Sequence, residues 1–327
     1  MSSSNQPVHT RKTPMMIASL SAIAIILVTL FALTSHIAWN PYLELTAHFK
    51  LQYLVICLLL LIPLLFSYAK PWLFISFVCI AIQLVEILPW YIPPAWIGTS
   101  NSPNLRVLLS NVYVRNQQYE DVLALVKQEN PDIAIFQEVD ATWATQLQPL
   151  KSSYPYTFEE PDTTLYSRSP LNDVSVFGVA VKRSIAVSLR VNNQDIRLVA
   201  THPLPPAPWL AKLRNEQLNQ IAHYIKQQRS PIILIGDLNV TLWSPYYKKL
   251  IQETGLKNSR QGFGILPTWP APTQYASTHP ILAFFKPLLW IPLDHCLISP
   301  NIKVTNIRTG RSIQSDHLPL IIDLLIS

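Results

Sequence analysis

Six short segments of this sequence set a carboxylate, an amide or an imidazole at the end of an apolar run. Asn111 follows Leu105–Ser110, Gln137 and Glu138 follow Ile133–Phe136, His202 follows Ile196–Thr201, and Asp237 and Asn239 follow Ile232–Ile235. Asp294 and His295 open an apolar run, and Ser315, Asp316 and His317 precede Leu318–Ile322. Hard cations such as Mg2+ take oxygen ligands, usually one or two carboxylates with water and a substrate phosphate. A histidine backed by an acid is what a water-activating base requires. Hydrolysis of a phosphate ester needs both, a cation for the developing charge and a base for the nucleophile. Singly, each residue has a plainer use. An Asp or Asn just past a strand is a common turn former, a lone His is more often a surface or satisfied buried residue, Glu138 reads equally as a loop acid, and Asp294 as a turn cap. The chemistry rests on all six segments occurring together.

Such side chains converge only if neighbouring strands end on one edge. The apolar runs above read as strands, with Val174–Val181 and Ile302–Ile307 added and the last run extended to Leu325. Helical spacing of Val122, Leu125 and Val126 marks a helix over Gln118–Asn130, stopped by Pro131. Leu218, Ile221, Ala222 and Ile225 mark a second over Trp209–Gln228, and Ser244-Pro245 starts a third that Gly255 stops. Many strands with few helices in mixed order imply two sheets packed face to face with helices outside.

The segments resemble, in order, the motifs of the endonuclease/exonuclease/phosphatase superfamily, which includes deoxyribonuclease I, apurinic endonucleases, sphingomyelinases and inositol-phosphate phosphatases. The resemblance is carried by Ser110-Asn111, Gln137-Glu138, Thr201-His202, Gly236-Asp237-Leu238-Asn239, Leu293-Asp294-His295 and Ser315-Asp316-His317, with Thr268-Trp269-Pro270 and the Tyr166–Leu171 stretch as further signatures. It spans about residues 104–327 and is similar in layout to a bacterial membrane-anchored branch. The resemblance implies an α/β, four-layered sandwich of two mixed sheets flanked by helices, and an ester hydrolase. It implies that Glu138 ligates Mg2+, with Mn2+ as a substitute, assisted by Asn111 and Asp316. By the same resemblance His317 is the base, oriented by Asp294. Asp237 and Asn239 position the nucleophile and hold phosphoryl oxygens, and His202 donates to the phosphate. No other cofactor is implied.

Two features depart from the DNA-repair members. The extra phosphate-contacting Tyr region of the apurinic endonucleases has no clear counterpart. Glu159, Glu160 and Asp162 would repel a nucleic-acid backbone if they lay near the site. Lys182-Arg183 and Lys248-Lys249 are the only adjacent basic pairs between residues 105 and 327, and they read as solvated faces rather than the concentrated basic surface of duplex binders. The stretch from Pro203 to Trp209 is a stiff connector, or a loop that shapes a pocket or touches lipid. The substrate is a phosphate ester within nucleic acid, phospholipid or sugar phosphate.

Composition supplies the frame. The chain has 327 residues, 49% hydrophobic and only 13% charged, against about 25% charged in soluble domains. Disorder is excluded, and so is a soluble protein throughout. Three cysteines exclude a disulfide scaffold. Only six charged residues precede residue 101, namely Arg11, Lys12, Glu44, Lys50, Lys70 and Glu86; the remainder carries a net charge of +4. Apolar runs at about 15–35, 51–69 and 71–92 are read as three transmembrane helices within an N-terminal region 1–97. A linker follows at 98–104 and the catalytic domain at 105–327. Trp90, Tyr91 and Trp96 form an interfacial belt, and Glu86 snorkels toward the interface. The Lys and Arg distribution favours an inside N-terminus, so three spans deliver the catalytic domain to the outer, periplasmic face of a bacterial inner membrane. The bilayer is thus a partner, and nothing points to a protein partner. The alternative to an enzyme is a catalytically idle, membrane-tethered binding or scaffold module, which predicts a missing catalytic group; none is missing.

Overall fold

The structure is a computed structural model that describes residues 12–37, 40–67, 69–94, 97, 102–178, 182–275 and 286–327. Arg11, Trp96, the linker stretch 98–101 and the end of the expected Val174–Val181 strand lie outside the described residues. The chain divides into two compact units, Met1–Pro89 and Trp90–Ser327.

The first unit is helical. α1 covers Lys12–Leu33, α2 Pro41–Ala47, α3 Lys50–Leu65 and α4 Lys70–Ile87. Leu, Ile, Val and Ala dominate, and exposed faces carry Leu20, Leu27, Leu59 and Phe74, as lipid-facing helices do. Met15–Ile37 and Lys70–Tyr91 are each long and apolar enough to cross a bilayer. α3 alone has 16 residues, about 24 Å of helix against a hydrocarbon core of about 30 Å. It reaches span length only together with α2, from which it bends by 61°. Among the described residues two helices are long and apolar enough to span, or three candidates if the bent pair counts as one. A polar layer crosses this unit, where Gln83 Nε2 donates to Thr29 Oγ1 at 2.8 Å and to Cys57 Sγ at 3.1 Å. Glu86 does not reach outward alone: its carboxylate meets Lys50 and His36.

The second unit is the α/β sandwich. Its strands are β1 (Leu105–Asn111), β2 (Ile133–Val139), β3 (Tyr156–Glu160), β4 (Asp162–Ser167), β5 (Asn172–Phe177), β6 (Ser184–Val191), β7 (Gln194–Ala200), β8 (Ile232–Asp237), β9 (Lys257–Asn258), β10 (Asp294–Ile298), β11 (Lys303–Thr309) and β12 (Leu320–Leu325). Its helices are α5 (Tyr119–Glu129), α6 (Ala141–Gln146), α7 (Ala211–Lys226) and α8 (Pro245–Thr254). The sheets run β11-β12-β1-β2-β4-β3 and β5-β6-β7-β8-β10-β9. Both mix parallel and antiparallel pairs.

Strand β1 shows why the sandwich forms. Val107 and Leu109 point into the core between the sheets, with Ile235 and Ile322, while Leu108 points the other way onto Val122 and Leu125 of α5. Burial on both faces explains the near-continuous apolar run. On the outer face of the other sheet, Arg197 of β7 donates to the Tyr224 hydroxyl of α7 at 2.6 Å. α5 ends where Asn130 turns left-handed (φ 49°) before Pro131, and α8 is capped by the Ser244 hydroxyl and ends at Gly255 (φ 68°).

Candidate active site

Topology gathers the six segments. β1 and β2 run parallel, as do β7 and β8, so each pair delivers its C-terminal residues to one edge. β12 is antiparallel to β1, and β10 to β8, so their N-terminal ends arrive at those same edges. Gln137 ties the edges together: its Nε2 donates to the Thr201 carbonyl at 2.7 Å, and its Oε1 accepts from the Asp237 amide at 2.9 Å. Gly236 allows this approach. It sits at φ +154°, and a Cβ there would lie 1.7 Å from the Thr201 carbonyl oxygen.

The floor is built around one carboxylate oxygen. Asp237 Oδ2 lies 3.6 Å from His317 Nε2 and 3.6 Å from His202 Nε2. Each imidazole is backed by its own acid: His317 Nδ1 is 2.7 Å from Asp294 Oδ2, and His202 Nδ1 is 2.7 Å from Asp162 Oδ2. Asp237 Oδ1 accepts from the Asn239 amide at 2.8 Å. Burial by itself would push both imidazoles toward the neutral form. The flanking carboxylates win, raising His202 to about 9, chiefly through Asp162, and His317 to about 10, chiefly through Asp294 and Asp237. Burial likewise disfavours the charge on Asp237, but His317 and His202 hold its pKa well below the usual carboxylate range.

The rim holds the other acids. Glu138 sits at a β-bulge in β2 with φ 61°, which turns its side chain to the edge. Its Oε1 accepts from Asn111 Nδ2 at 3.0 Å and its Oε2 from the Val114 amide at 3.2 Å. Asp316 stands on a turn anchored by the Ser315 hydroxyl, which donates to the Asn111 carbonyl at 2.7 Å. Asp316 Oδ2 accepts from Trp269 Nε1 at 3.3 Å, whereas Oδ1 is buried and has no hydrogen-bond partner. Burial raises the Asp316 pKa, and the nearby Glu138 charge adds to the rise. An orphaned carboxylate oxygen within the field of a second acid is a donor set suited to a divalent cation. Asp237, Asp294 and His317 also offer ligand atoms within 4.8 Å of one another. There, however, the His317 and Asp294 atoms are already joined by a hydrogen bond.

Of the residues singled out in the sequence, His202, Asp237, Asp294 and His317 meet on the floor, and Asn111, Glu138 and Asp316 on the rim. Asn239 adopts φ 52°, and its Nδ2 donates to the Pro203 carbonyl at 3.0 Å, so its side chain serves the loop after His202. That loop leaves Trp209 82% exposed.

Sequence reasoning missed Asp162 and Lys182. Lys182 Nζ lies 3.0 and 2.9 Å from the two ring nitrogens of His202 and 3.3 Å from Asp162 Oδ1. The need of a buried His for a backing acid was the available signal. Nothing in the local sequence marks Asp162, the first residue of β4. Glu159, Glu160 and Asp162 each have a basic partner. Glu159 pairs with Lys151, Glu160 with Arg183, and Asp162 with Lys182 and His202. Lys182 is thus half-buried in an ion pair, whereas Arg183 is exposed, as expected of a solvated face, and pairs with Glu160 there. A cleft of about 310 Å³ opens beside Glu138, lined by Val114, Val139, Asp140, Asp162 and Lys182. A larger cavity of about 650 Å³ over Phe177 and Tyr224 shares none of these residues.

Residues 108–317 match the sequence profile of the Endonuclease/Exonuclease/phosphatase family. Solved structures share the fold at low identity. A humanised D. rerio TDP2 is 15% identical with a TM-score of 0.54, covering 68% of this chain and 98% of its own. An endonuclease/exonuclease/phosphatase from Beutenbergia cavernae is 19% identical with a TM-score of 0.52, covering 69% and 72%. A mannosyl-6-phosphatase from Bacteroides thetaiotaomicron is 17% identical with a TM-score of 0.53, covering 68% and 100%. Among curated proteins no sequence matches.

Proposed function

The chain belongs to the endonuclease/exonuclease/phosphatase family, and from that premise we propose that it is a membrane-anchored, Mg2+-dependent phosphoesterase hydrolysing a phosphodiester or phosphomonoester. The observation that carries this reading is the pair of acid-backed imidazoles on Asp237 beside a rim acid with an unpartnered oxygen.

Glu138 and Asp316, with Asn111, are the residues that would hold the ion, and the orphaned Asp316 oxygen fits it. A divalent cation there would supply positive charge to polarise a phosphoryl oxygen and to offset the Asp316 charge that helps keep His317 protonated. The remaining steps belong to the protein. Asp294 holds the His317 ring so that Nε2 faces the cluster, where the neutral ring accepts a proton from water. Asp237, held in its charged form, accepts a second hydrogen bond from that water and orients it. His202, cationic between Asp162 and Asp237, donates to a phosphoryl oxygen as charge develops there. Asn239 keeps Asp237 in place through its backbone amide. With its acids neutralised by bases, the 159–162 segment sets no barrier to a nucleotide substrate, so nucleic acid, phospholipid and sugar phosphate all remain in the substrate class.

The test is a hydrolysis panel of those three substrate types on the full chain in detergent, with Mg2+, Mn2+ or EDTA. Mg2+-dependent cleavage of at least one is expected. No cleavage of any with either ion overturns the proposal. We further propose three spans, with α2 and α3 together as the second, and the catalytic unit on the outer face of an inner membrane. A C-terminal reporter active only outside supports it. A reporter active inside means two spans and returns the catalytic unit to the side of the N-terminus.

A further inference from the structure

Arg260 is fully buried, yet the reaction above does not use it. It forms no salt bridge among the described residues, and its Nε and Nη1 have no hydrogen-bond partner. Among the described residues its one side-chain hydrogen bond runs from Nη2 to the Asp294 carbonyl at 2.7 Å. Burial lowers its pKa to about 10, so it stays cationic at neutral pH. An unpaired buried cation is costly to maintain, and its place in the sheet explains what the cost sustains.

Carbonyls along β10 alternate in direction. The Leu293 carbonyl faces β8 and accepts from the Leu238 amide at 3.0 Å, whereas the Cys296 carbonyl faces the β9 side and accepts from the Ser259 amide at 3.0 Å. Asp294 faces the same way as Cys296. β9 has only two residues, and the chain turns away after Ser259. The Arg260 side chain takes the place of the missing neighbour at Asp294 and continues the ladder past the end of β9.

The turn that carries Arg260 is itself clamped. The Arg260 amide donates to Asn258 Oδ1 at 3.0 Å, and its carbonyl accepts from Phe263 at 2.9 Å. Gly262 and Gly264 both donate to the Trp90 carbonyl at 2.9 Å. Gly262 has φ +91°, and a Cβ there would lie 2.7 Å from Ile97 Cδ1 and 2.8 Å from Pro93 Cα. The first residues of the catalytic unit thus strap down the turn behind the Asp294–His317 pair.

We infer that Arg260 is a positioning residue: through the Asp294 carbonyl it fixes the carboxylate that orients His317, and the strap of Trp90, Pro93 and Ile97 holds it there. The inference rests on the phosphoesterase reading for its kinetic consequence but not for its structural one.

The test uses the full chain in detergent and bis(p-nitrophenyl) phosphate with Mg2+. Arg260→Met is expected to lower kcat about 10–100-fold with KM nearly unchanged, because Arg260 touches no substrate. Arg260→Lys should recover most of the loss, by keeping a charged donor. If Arg260→Met does not fold, Gly262→Ala decides, since it pushes the turn off the strap while keeping Arg260; a lowered kcat at unchanged KM is expected. A second readout needs no turnover. In a spectrum of 15N-histidine-labelled protein, assigned with His317→Gln, the His317 Nδ1 proton should resonate far downfield. It should move upfield in Arg260→Met, or in Gly262→Ala if Met does not fold. A folded variant with unchanged kcat, a loss confined to KM, or an unmoved His317 resonance overturns the inference. An inactive parent chain overturns the phosphoesterase reading instead, and the resonance then decides this one.

Discussion

Glu86 in the N-terminal unit and Asp316 in the catalytic unit are both partly buried acids, and their surroundings differ. Glu86 lies between two bases, with Lys50 Nζ 2.8 Å from Oε2 and His36 Nε2 2.5 Å from Oε1. Lys50 also donates to the Ala32 carbonyl at 2.7 Å. One acid with two bases, Lys50 at the start of α3 and His36 in the turn after α1, closes on itself and holds these segments together. Asp316 has one weak donor in Trp269; the His317 charge favours its carboxylate, and the charges of Glu138 and Asp237 oppose it. Acids outnumber partners there, which costs stability in the free protein and leaves a place for a ligand that brings positive charge. A satisfied cluster holds structure together, and an unsatisfied one is what the proposed ion site requires.

That contrast can be broken at four points. The largest effect belongs to the floor: Asp237→Ala and His317→Ala should each lose at least about 10²–10³ in turnover while circular dichroism still shows the parent's fold, although the melting temperature falls because each change breaks a buried charge pair. Retained turnover would separate the cluster from catalysis. Next, Glu86→Gln leaves Lys50 buried without its carboxylate. It should destabilise the N-terminal unit by about 3 kcal/mol in a denaturation series in detergent, with hydrolysis of a soluble substrate unchanged. Lost hydrolysis would mean that this cluster is not merely structural.

The third point is pH. His202 titrates at about 9 in the folded chain against about 6.5 unfolded. A raised folded pKa stabilises the protein fully below the unfolded value, and the gain is lost as pH rises through the folded one. His202 therefore contributes a fall of roughly 3 kcal/mol in stability between about pH 6.5 and 9 in EDTA, alongside a parallel fall from His317, which is raised to about 10, and His202→Gln should make the decline shallower. An equal slope in both proteins would refute the Asp162–His202–Asp237 arrangement. The smallest effect is at Asp316. Its charge is disfavoured by folding, so Asp316→Asn should stabilise the ion-free protein by about 1 kcal/mol and abolish the rise in melting temperature that Mg2+ gives the parent. A variant that still responds to Mg2+ would move the ion elsewhere.

Much of this fold was legible because its strands are buried on both faces. Ile133–Phe136 and Ile232–Ile235 are uniformly apolar, Leu105–Ser110 is apolar but for Arg106 and Ser110, and each proved to be a strand. The expected helices lie within two residues of the observed ones at both ends. Tyr156–Glu160 was passed over because it is a polar edge strand with little buried surface. Ser184–Val191 was also missed, although Ile185, Val187 and Leu189 alternate with a period of two and carried the signal. Three apolar runs near the N-terminus were plain, but α3 is shorter than its run and bends away from α2, so composition overstated its reach.

By itself the sequence determined the apolar helices, the strand segments and the polar residues set at strand ends, because these depend on local period and on burial of neighbouring positions. Only the tertiary structure decided which partners those residues take. Asp162 reaches His202 across 40 positions, Arg260 reaches Asp294 across 34, and Gln137 bridges two sheets to Asp237 across 100. Such contacts depend on strand order and register, which side-chain period does not encode.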